Sequence, residues 1–434
     1  MNDVFVIRGG KPLSGSVEVR GSKNAASKLM IASLLTEESC VIENIPLSAE
    51  TEITRELCER IGSQIICDEK RVCRISTPVI TTSRVPELSR RNRIPILALG
   101  PLLHRTGSAE VPVLGGCPIG HRPINFHVAA LTDMGVRMER REHSYWAEAG
   151  DIHGAEIKFP FPSVGATENV LLTAVRAKGR TIMRNAAIEP EILNLIRMLN
   201  AMGGRIRVDE NSRIMEIDGV DRLGGAVISV IPDRNEVVSL ASAALATGGE
   251  VEVHGAEAGH LEPFLGFLDE LGASWEEYLG GIRFSGAPPY RAVSIQTGPH
   301  PAFMTDWQQP FCVVLTRAEG TSVIHETVYE DRFGYAKDLN RMGAAIATFD
   351  DCDGFTPCRF AYQGFYHRAA VSGPRFLSGR DLAMTDIRAG MAHIIAALAA
   401  GGESVITGVQ HLDRGYEKID ERLRSLGADI RRVS

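Results

Sequence analysis

The stretch Leu199-Asn-Ala-Met-Gly203-Gly-Arg-Ile-Arg-Val208 contains the pattern from which this chain of 434 residues is built. It reads as the end of an amphipathic helix, a glycine and a strand-like run, and glycine is the residue that commonly ends a helix in the left-handed conformation. Similar endings recur at 57–62, 131–135, 199–203, 268–272, 339–343 and 423–427, and their final glycines are 68 to 84 residues apart. This spacing predicts six repeats of about seventy residues.

Each repeat also contains a second helix rich in small apolar residues, followed by a turn and a β-branched run, as at 166–182, 235–253 and 387–406. A helix that is apolar nearly all round must be buried, and where strands and helices alternate the sheet supplies the cover. We therefore expect an α/β fold of the inside-out α/β barrel type, with helices inside and sheets outside. It has two domains, each of three repeated βαβαβ-type units with buried helices.

The chain divides between the third and fourth repeats, near residues 222–232. The opening strand at 4–7 has no preceding repeat, so we expect it to complete the C-terminal half. This predicts a discontinuous C-terminal domain of residues 1–21 plus 232–434. The N-terminal domain, residues 22–231, carries the glycine-rich stretch at 114–127, and the last repeat carries an insertion at 350–374.

The composition limits the kinds of partner that the chain can have. It is 44% hydrophobic and 23% charged, with a formal net charge of -7. An acidic chain is a poor general binder of nucleic acid or anionic membranes. No stretch approaches the ~20 apolar residues of a membrane span. We expect a cytoplasmic protein that binds neither nucleic acid nor membrane.

The eight cysteines have neither the density of a secreted disulfide scaffold nor a paired Cys-x-x-Cys zinc pattern. Reduced thiols are therefore expected. Cys352 and Cys358 lie six residues apart in a loop rich in glycine and aspartate, where plain loop cysteines are a more frequent outcome than a metal site or a disulfide. We predict no metal site and no cofactor.

The stretch 114–127 places Cys117 among glycines, with Arg122 and His127 close behind. Pro118 restrains the loop, while the glycines leave it conformational freedom. A nearby guanidinium favours the thiolate, so Cys117 is a candidate acid or nucleophile near neutral pH. A buried structural cysteine is an equally open interpretation of this loop alone.

Two helix starts and several Asp-Arg pairs are candidate anion sites. Lys23 and Asn24 open an apolar helix, and hydroxyl and small residues at 162–167 open another. Helix N-termini attract anions, although ordinary capping explains both segments as well. Asp and Arg recur together at 330–332, 385–388 and 413–416, and a structural ion pair is the alternative for each.

These motifs occur together and in order along the whole chain. They are Lys23-Asn24, Gly115-Gly-Cys117, Arg122-Pro123, Ser163-Val-Gly-Ala-Thr167, Glu189-Pro-Glu191, Pro232-Asp-Arg234, His300-Pro-Ala-Phe303, Thr305-Asp306, Asp386-Ile-Arg388 and Asp413-Arg-Gly-Tyr416. In this combination the chain resembles the family of UDP-N-acetylglucosamine enolpyruvyl transferases.

The resemblance implies an inside-out barrel in each of two domains and a defined reaction. The enolpyruvyl group of phosphoenolpyruvate passes to the 3-hydroxyl of UDP-N-acetylglucosamine by addition and elimination, and phosphate is released. This is the first committed step of peptidoglycan synthesis, and so of cell wall biogenesis, cell shape and cell division. The implied partners are these two small molecules.

The resemblance also implies residue roles. Cys117 protonates the methylene carbon of phosphoenolpyruvate and is the residue that fosfomycin alkylates. Asp306 accepts the proton of the sugar hydroxyl, Asp386 assists proton movement at the developing methyl group, and Lys23 acts in catalysis and on the phosphate. The further residues implied to bind substrate are Asn24, Arg93, Arg122, Ser163, Val164, Gly165, Val328, Arg332, Arg388 and Arg414.

The sequence departs from the common family pattern at four positions, Ala49, Glu50, Glu52 and Ile188. These departures leave the implied catalytic residues in place and bear on the acceptor. A related enolpyruvyl transferase that acts on a different nucleotide or on a shikimate-type acceptor therefore stays open. A non-catalytic sugar-nucleotide sensor is the alternative from another functional class.

Overall fold

The computed structural model describes residues 3–90, 92–115, 123–330, 332–354 and 358–433. These residues form two compact lobes. Within these described ranges, the C-terminal lobe takes the residues up to 20 and from 232 onward, and the N-terminal lobe takes those from 21 to 231. None of the described helices is both long enough and apolar enough to cross a membrane.

The helices of the described residues fall evenly between the two lobes. They are α1 (Lys23–Ala32), α2 (Ala49–Ile61), α3 (Leu99–Thr106), α4 (Asn125–Asp133), α5 (Val164–Ala174), α6 (Pro190–Ala201), α7 (Arg234–Thr247), α8 (Glu262–Leu271), α9 (Gln308–Leu315), α10 (Ala336–Arg341), α11 (Ile387–Ala399) and α12 (Ile419–Ser425). Short 3-10 helices include Ile94–Ala98 and Val409–Arg414.

The strands are short and belong to six sheets. They are β1 (Val4–Arg8), β2 (Ser14–Glu18), β3 (Cys40–Glu43), β4 (Gln64–Cys67), β5 (Cys73–Ser76), β6 (Ser108–Pro112), β7 (Val136–Arg140), β8 (Ser144–Ala149), β9 (Glu156–Lys158), β10 (Arg180–Arg184), β11 (Arg205–Asp209), β12 (Ile214–Asp218), β13 (Val227–Ser229), β14 (Glu250–His254), β15 (Ser274–Tyr278), β16 (Gly281–Ser285), β17 (Tyr290–Arg291), β18 (Ser294–Gln296), β19 (Ala318–His325), β20 (Ile346–Phe349), β21 (Arg368–Gly373), β22 (Leu382–Ala383), β23 (Glu403–Thr407) and β24 (Asp429–Val433).

The glycine-ended helices are confirmed. Helices α2, α4, α6, α8, α10 and α12 each end within two residues of the predicted glycine, whose φ lies between 82° and 123°, and a strand follows each of them. At Gly203, φ is 102°, a conformation that side chains with a Cβ rarely adopt. Glycine therefore turns the chain from α6 into β11 without strain.

The repeat around α5 shows how one unit is assembled in the N-terminal lobe. Strands β9 and β10 pair in parallel, and the buried α5 connects them. The chain then forms α6, β11 and β12, and β12 pairs antiparallel with both β10 and β11. The observed unit has one strand more than the predicted βαβαβ unit. The extra strand was missed because β11 and β12 are short and only a tight hairpin separates them in the sequence.

The sheets of the N-terminal lobe have the strand orders β13-β3-β5-β4, β6-β8-β7 and β11-β12-β10-β9. The core lies among the helices, since α1 packs on α6 and α5 packs on α3 and α4. Cys67 and Cys73 form a disulfide across β4 and β5. This corrects the expectation of reduced thiols, which did not foresee that a hairpin would place these residues opposite each other.

In the C-terminal lobe, the buried helices α7, α9 and α11 contact one another, and each packs on its own sheet. The sheet orders are β15-β16-β14-β2, β17-β19-β21-β20 and β22-β23-β1-β24, with β18 paired to β19. Strand β1 pairs with β23 and β24, where the count of repeats places it. The sheets combine parallel and antiparallel pairs, and none of those described closes into a barrel.

The predicted insertion at 350–374 is shorter in the structure. Residues 368–373 form β21, which pairs with β19 and β20 as a regular strand of its sheet. The irregular segment therefore comprises residues 350–367, of which the structure describes all but 355–357. The predicted insertion was too long because β21 contains small residues, which do not indicate a strand in the sequence.

Candidate active site

Two arginines of the C-terminal lobe hold the carboxylate of Asp306. Asp306 lies in the turn before α9, Arg332 follows β19, and Arg388 is in the first turn of α11. Arg332 Nη2 donates to Asp306 Oδ1 at 2.7 Å, and Arg388 Nε donates to Oδ2 at 3.1 Å. The side chains of Arg332 and Arg388 are only 2% and 6% exposed, against 22% for Asp306. The structure thus brings together three of the residues implied by the resemblance.

Arg388 also donates from Nη1 to the Tyr416 hydroxyl at 2.8 Å, and that hydroxyl lies 2.6 Å from Ser239 Oγ. Burial lowers the pKa of the Arg388 guanidinium, but Tyr416 and Asp306 outweigh it and raise that pKa overall. For Arg332, burial again lowers the pKa and Asp306 and Glu326 more than compensate. Both arginines therefore stay charged.

Asp386 is fixed by its own helix. Its Oδ1 accepts from the backbone N–H groups of Arg388 and Ala389, at 2.8 and 3.0 Å, which caps α11. An N-terminal carboxylate also interacts favourably with the helix dipole. Asp386 and Arg388 both lie at the start of α11, so the cap helps to position both side chains.

Val328 is fixed by Glu326, a buried residue that the sequence did not single out. Glu326 Oε1 accepts from the Val328 N–H at 2.7 Å and from the Tyr329 N–H at 3.0 Å. Its Oε2 accepts from Thr305 Oγ1 at 2.8 Å. Glu326 therefore connects the segment that holds Val328 to the turn that holds Asp306. Burial raises the pKa of Glu326, partly offset by Arg332.

Arg414 ends the 3-10 helix Val409–Arg414 and is half-buried. It lies two residues before Tyr416, whose hydroxyl accepts from Arg388. We refer to Asp306, Arg332, Arg388 and Tyr416 as the Asp306 cluster. Arg414 is therefore close in sequence to a member of this cluster.

The N-terminal lobe contains the second group of predicted residues. Lys23 and Asn24 are the first residues of α1, whose preceding Ser22 provides no side-chain cap. The amide donors of this helix start suit an anion. Ser163 precedes α5 and caps it, accepting from the Ala166 N–H at 3.4 Å.

Val164 and Gly165 begin α5, and Gly165 lies against the ring of His127. A Cβ at Gly165 would lie 3.2 Å from the His127 ring, so the site requires a small residue. Burial lowers the pKa of His127 to about 4, and the charge of the half-buried Arg93 acts in the same direction. The structure thus places Arg93, His127 and the start of α5 in one region of this lobe.

Glu168 is a further buried charge of this lobe that the sequence analysis missed. Lys28 Nζ lies 3.6 Å from Glu168 Oε1. Burial raises the pKa of Glu168 to about 7, with contributions from Glu189 and Glu191, while Lys28 opposes the rise. The available signal was that Glu168 is the one charged residue in the segment Val164–Ala174, which is rich in small and apolar residues.

Cys117 and Arg122 lie outside the described residues, so their predicted roles stay predictions. Among the residues that the sequence analysis missed, Tyr416 was quoted only as part of a motif and Glu326 carried no sequence signal.

The structure also brings together His325, Cys352, Cys358 and His367, a group that could hold a metal ion. The analysis of cysteine spacing did not predict this group, because spacing between cysteines says nothing about histidines, and His325 lies on β19, far from both cysteines in sequence.

The chain matches the family of EPSP synthase (3-phosphoshikimate 1-carboxyvinyltransferase) over residues 7–423. It therefore belongs to this enolpyruvyl transferase family.

Curated members of the enolpyruvyl transferases are similar over nearly their whole length. The chain is 44% identical to UDP-N-acetylglucosamine 1-carboxyvinyltransferase of Protochlamydia amoebophila, covering 99% of this chain and 94% of the relative. It is 45% identical to the protein of the same name from Chlamydia abortus, covering 98% and 97%. The corresponding protein of Idiomarina loihiensis is 40% identical, with full coverage of both chains.

Solved enolpyruvyl transferases share the fold. The enolpyruvyl transferase NikO from Streptomyces tendae superimposes with a TM-score of 0.87 at 23% identity, covering 100% of this chain and 99% of the other. EPSP synthase from Acinetobacter baumannii gives a TM-score of 0.73 at 17% identity, with 100% coverage of both. At these identities the likeness concerns the fold alone.

Proposed function

We propose that this protein transfers the enolpyruvyl group of phosphoenolpyruvate to the 3-hydroxyl of UDP-N-acetylglucosamine and releases phosphate. The observation that carries the proposal is the carboxylate of Asp306 held between Arg332 and Arg388. It is supported by relatives at 40% identity or more that are named for this acceptor. The proposed reaction takes place in the cytoplasm and belongs to peptidoglycan synthesis. Through peptidoglycan it contributes to cell wall biogenesis, cell shape and cell division.

The proposed architecture is an inside-out barrel in each domain, with a C-terminal domain of residues 1–21 plus 232–434 and an N-terminal domain of residues 22–231. Its support is the contact of α7, α9 and α11 with one another and with their own sheets. In this arrangement the starts of the buried helices carry the reactive residues, since Lys23, Ser163 and Asp386 all lie at such starts.

In the proposed addition step, the sugar 3-hydroxyl oxygen attacks the carbon of phosphoenolpyruvate that bears the phosphate. Asp306 accepts the hydroxyl proton, and Cys117 gives a proton to the methylene carbon, which becomes a methyl group. In the elimination step a proton leaves this methyl group with the assistance of Asp386, the carbon–carbon double bond re-forms, and phosphate departs. General acid and base groups each typically contribute about 10²- to 10⁴-fold in rate.

The charged side chains are proposed to bind the anionic groups of the substrates. Arg332 and Arg388 bind the carboxylate of phosphoenolpyruvate, because a guanidinium can pair with a carboxylate through two parallel hydrogen bonds. The phosphate is bound by Lys23, Arg122 and Arg414, with Arg93 nearby. Asn24 contacts the sugar, Ser163, Val164 and Gly165 contact the nucleotide, and Val328 contributes to the acceptor site.

The decisive experiment measures phosphate release from phosphoenolpyruvate with a panel of acceptors. We expect release with UDP-N-acetylglucosamine and none with its 3-deoxy analogue, with shikimate 3-phosphate or without an acceptor. Release with the shikimate compound alone would assign a different acceptor. Binding of the sugar nucleotide without any phosphate release would make the protein a sensor and overturn the transfer reaction.

The role of Cys117 has its own test. Cys117→Ala should abolish turnover and prevent labelling by a fosfomycin-type epoxide, because the reactive sulfur is lost. Mass spectrometry of the unsubstituted protein should find the label on Cys117, and Cys58→Ala, which replaces a fully buried thiol, should not change the labelling. A label on another cysteine together with an active Cys117→Ala variant would refute the assignment.

A further inference from the structure

Four side chains with metal-binding atoms meet beside the irregular segment 350–367 of the C-terminal lobe. They are His325, Cys352, Cys358 and His367, and their ligand atoms all lie within 4.8 Å of one another. Both histidines are fully buried, while the cysteines are half-buried. We refer to these four residues as the Cys2His2 group. It shares no residue with the proposed active site.

Strand pairing places the two histidines side by side. His325 is the last residue of β19, and His367 immediately precedes β21, which pairs antiparallel with β19. The N–H of Glu326 donates to the His367 carbonyl at 2.7 Å, and the two ring centroids are 5.5 Å apart. The histidine part of the group is therefore set by the sheet and not by the loop.

The loop brings the two sulfurs to this histidine pair at a separation that suits a shared ion. Cys352 Sγ lies 3.8 Å from Cys358 Sγ and 3.2 Å from His367 Nε2. Two sulfurs bound to one tetrahedral Zn²⁺ at ~2.3 Å lie ~3.8 Å apart, and a sulfur and a nitrogen lie ~3.6 Å apart. The sulfur separation is also far longer than the ~2.05 Å of a disulfide.

The surroundings of the group orient its ligand atoms. His367 Nδ1 lies 2.6 Å from the Phe365 carbonyl oxygen, which directs Nε2 towards Cys352. The other ring nitrogen of a metal-bound histidine usually donates to such a carbonyl. The Phe360 N–H donates to Cys358 Sγ at 3.4 Å, an interaction that stabilises a thiolate.

We propose that His325, Cys352, Cys358 and His367 bind one Zn²⁺ as a structural site. All four positions of a tetrahedral ion are filled by protein atoms, which is typical of structural and not catalytic zinc. The two thiols release their protons to solvent on binding, so that two thiolates balance the charge of the ion. Because the histidines remain neutral, the complex is neutral overall and its burial avoids the cost of an isolated charge.

The ion would attach the loop to the sheet. Residues 350–354 and 358–367 contain little regular structure, and they contribute Cys352, Cys358 and His367 to the group, whereas His325 belongs to β19. Between them and His367, Arg359 donates to the Val328 carbonyl. A metal ion in the group therefore fixes a loop that contacts the segment following β19.

The first test measures the zinc content of the full-length protein purified without chelators. We expect about one zinc per chain, and a loss of about tenfold or more in the Cys352→Ser/Cys358→Ser variant. Cys58→Ala, a matched control that removes a cysteine outside the group, should retain the zinc. Equal zinc in the unsubstituted protein and the double variant would overturn the proposal, as would a zinc-free protein with a Cys352–Cys358 disulfide by mass spectrometry.

The second test does not depend on the folding of a variant. Zinc is removed from the unsubstituted protein with a chelator under reducing conditions and replaced by Co²⁺. Tetrahedral Co²⁺ with two thiolate ligands gives intense visible ligand-field bands and sulfur-to-cobalt charge-transfer absorption. We expect these bands at one equivalent of cobalt and their loss on addition of zinc. Weak bands of octahedral cobalt would overturn the assignment of these ligands.

Discussion

Each lobe contains a carboxylate beside basic groups, but the two carboxylates differ in how well their charge is compensated. In the C-terminal lobe Asp306 has two guanidinium partners, at 2.7 and 3.1 Å. In the N-terminal lobe Glu168 has Lys28 at 3.6 Å, with Glu189 and Glu191 close enough to raise its pKa. Two well-placed partners stabilise a buried charge, whereas one distant partner among like charges leaves burial dominant.

The Asp306 pairing should give the largest effect when the carboxylate is neutralised. Asp306→Asn leaves two buried guanidinium groups without their anion, and removing one partner of a buried ion pair costs about 3 kcal/mol. Turnover should fall by about 10²- to 10⁴-fold as the general base is lost. Urea unfolding and phosphate release measure the two effects.

A carboxylate whose arginine partners are exposed and not buried provides the control. Asp218 pairs with Arg180 at 2.6 Å and with Arg207 at 3.4 Å, but these arginine side chains are 52% and 61% exposed. Asp218→Asn should change the free energy of unfolding much less than Asp306→Asn does, since surface ion pairs contribute little. Equal effects of the two substitutions would show that burial does not distinguish the two sites.

Glu168→Gln should alter the pH dependence of stability. The pKa of Glu168 is raised from 4.5 to about 7, so the folded state binds this proton more tightly than the unfolded state. The resulting stabilisation is complete below pH 4.5 and is lost as the pH rises through 7. Relative to Glu168→Gln, the unsubstituted protein should lose on the order of 2 kcal/mol between pH 5 and pH 8.

This difference is measured by denaturant unfolding of both proteins at several pH values. Any constant cost of the substitution, such as the weaker partner left for Lys28, cancels in the slope. A stability difference that does not change with pH would mean that Glu168 is ionised throughout, and the contrast with Asp306 would disappear.

Tyr416→Phe should have a smaller effect than Asp306→Asn, because it removes one hydroxyl from the Asp306 cluster and leaves the charges in place. The hydroxyl accepts from Arg388 and contacts Ser239, so its loss should cost about 1–2 kcal/mol. The half-buried Tyr278, whose hydroxyl lies 2.7 Å from His254 Nδ1, provides the control variant Tyr278→Phe. An equal loss in both variants would argue against a special role of Tyr416 in holding Arg388.

The sequence predicted those features that depend on neighbours along the chain. The helix-ending glycines were found because a left-handed residue after an amphipathic helix is a local requirement, and Gly203 meets it at a φ of 102°. The helix starts at Lys23, Ser163 and Asp386 were found because the residues that open a helix are also neighbours along the chain. The family motif that contains Asp386 and Arg388 was found because both residues lie at one helix start.

The boundaries of the insertion were predicted less well. Residues 368–373 were assigned to it, although they form β21, since a strand of small residues resembles a loop until its partners are known. The Cys67–Cys73 disulfide was missed because only the hairpin of β4 and β5 places these two cysteines opposite each other.

The sequence by itself therefore determined the repeats, the helix ends and the family of this protein, because each depends on local conformational preferences or on motifs that are contiguous in the chain. Only the tertiary structure decided which distant side chains meet. Asp306 and Arg388 are joined at 3.1 Å across 82 residues. The histidines of the Cys2His2 group become neighbours only when β19 pairs with β21. Such contacts follow from strand pairing and helix packing, which act between segments whose separation in sequence carries no periodic signal.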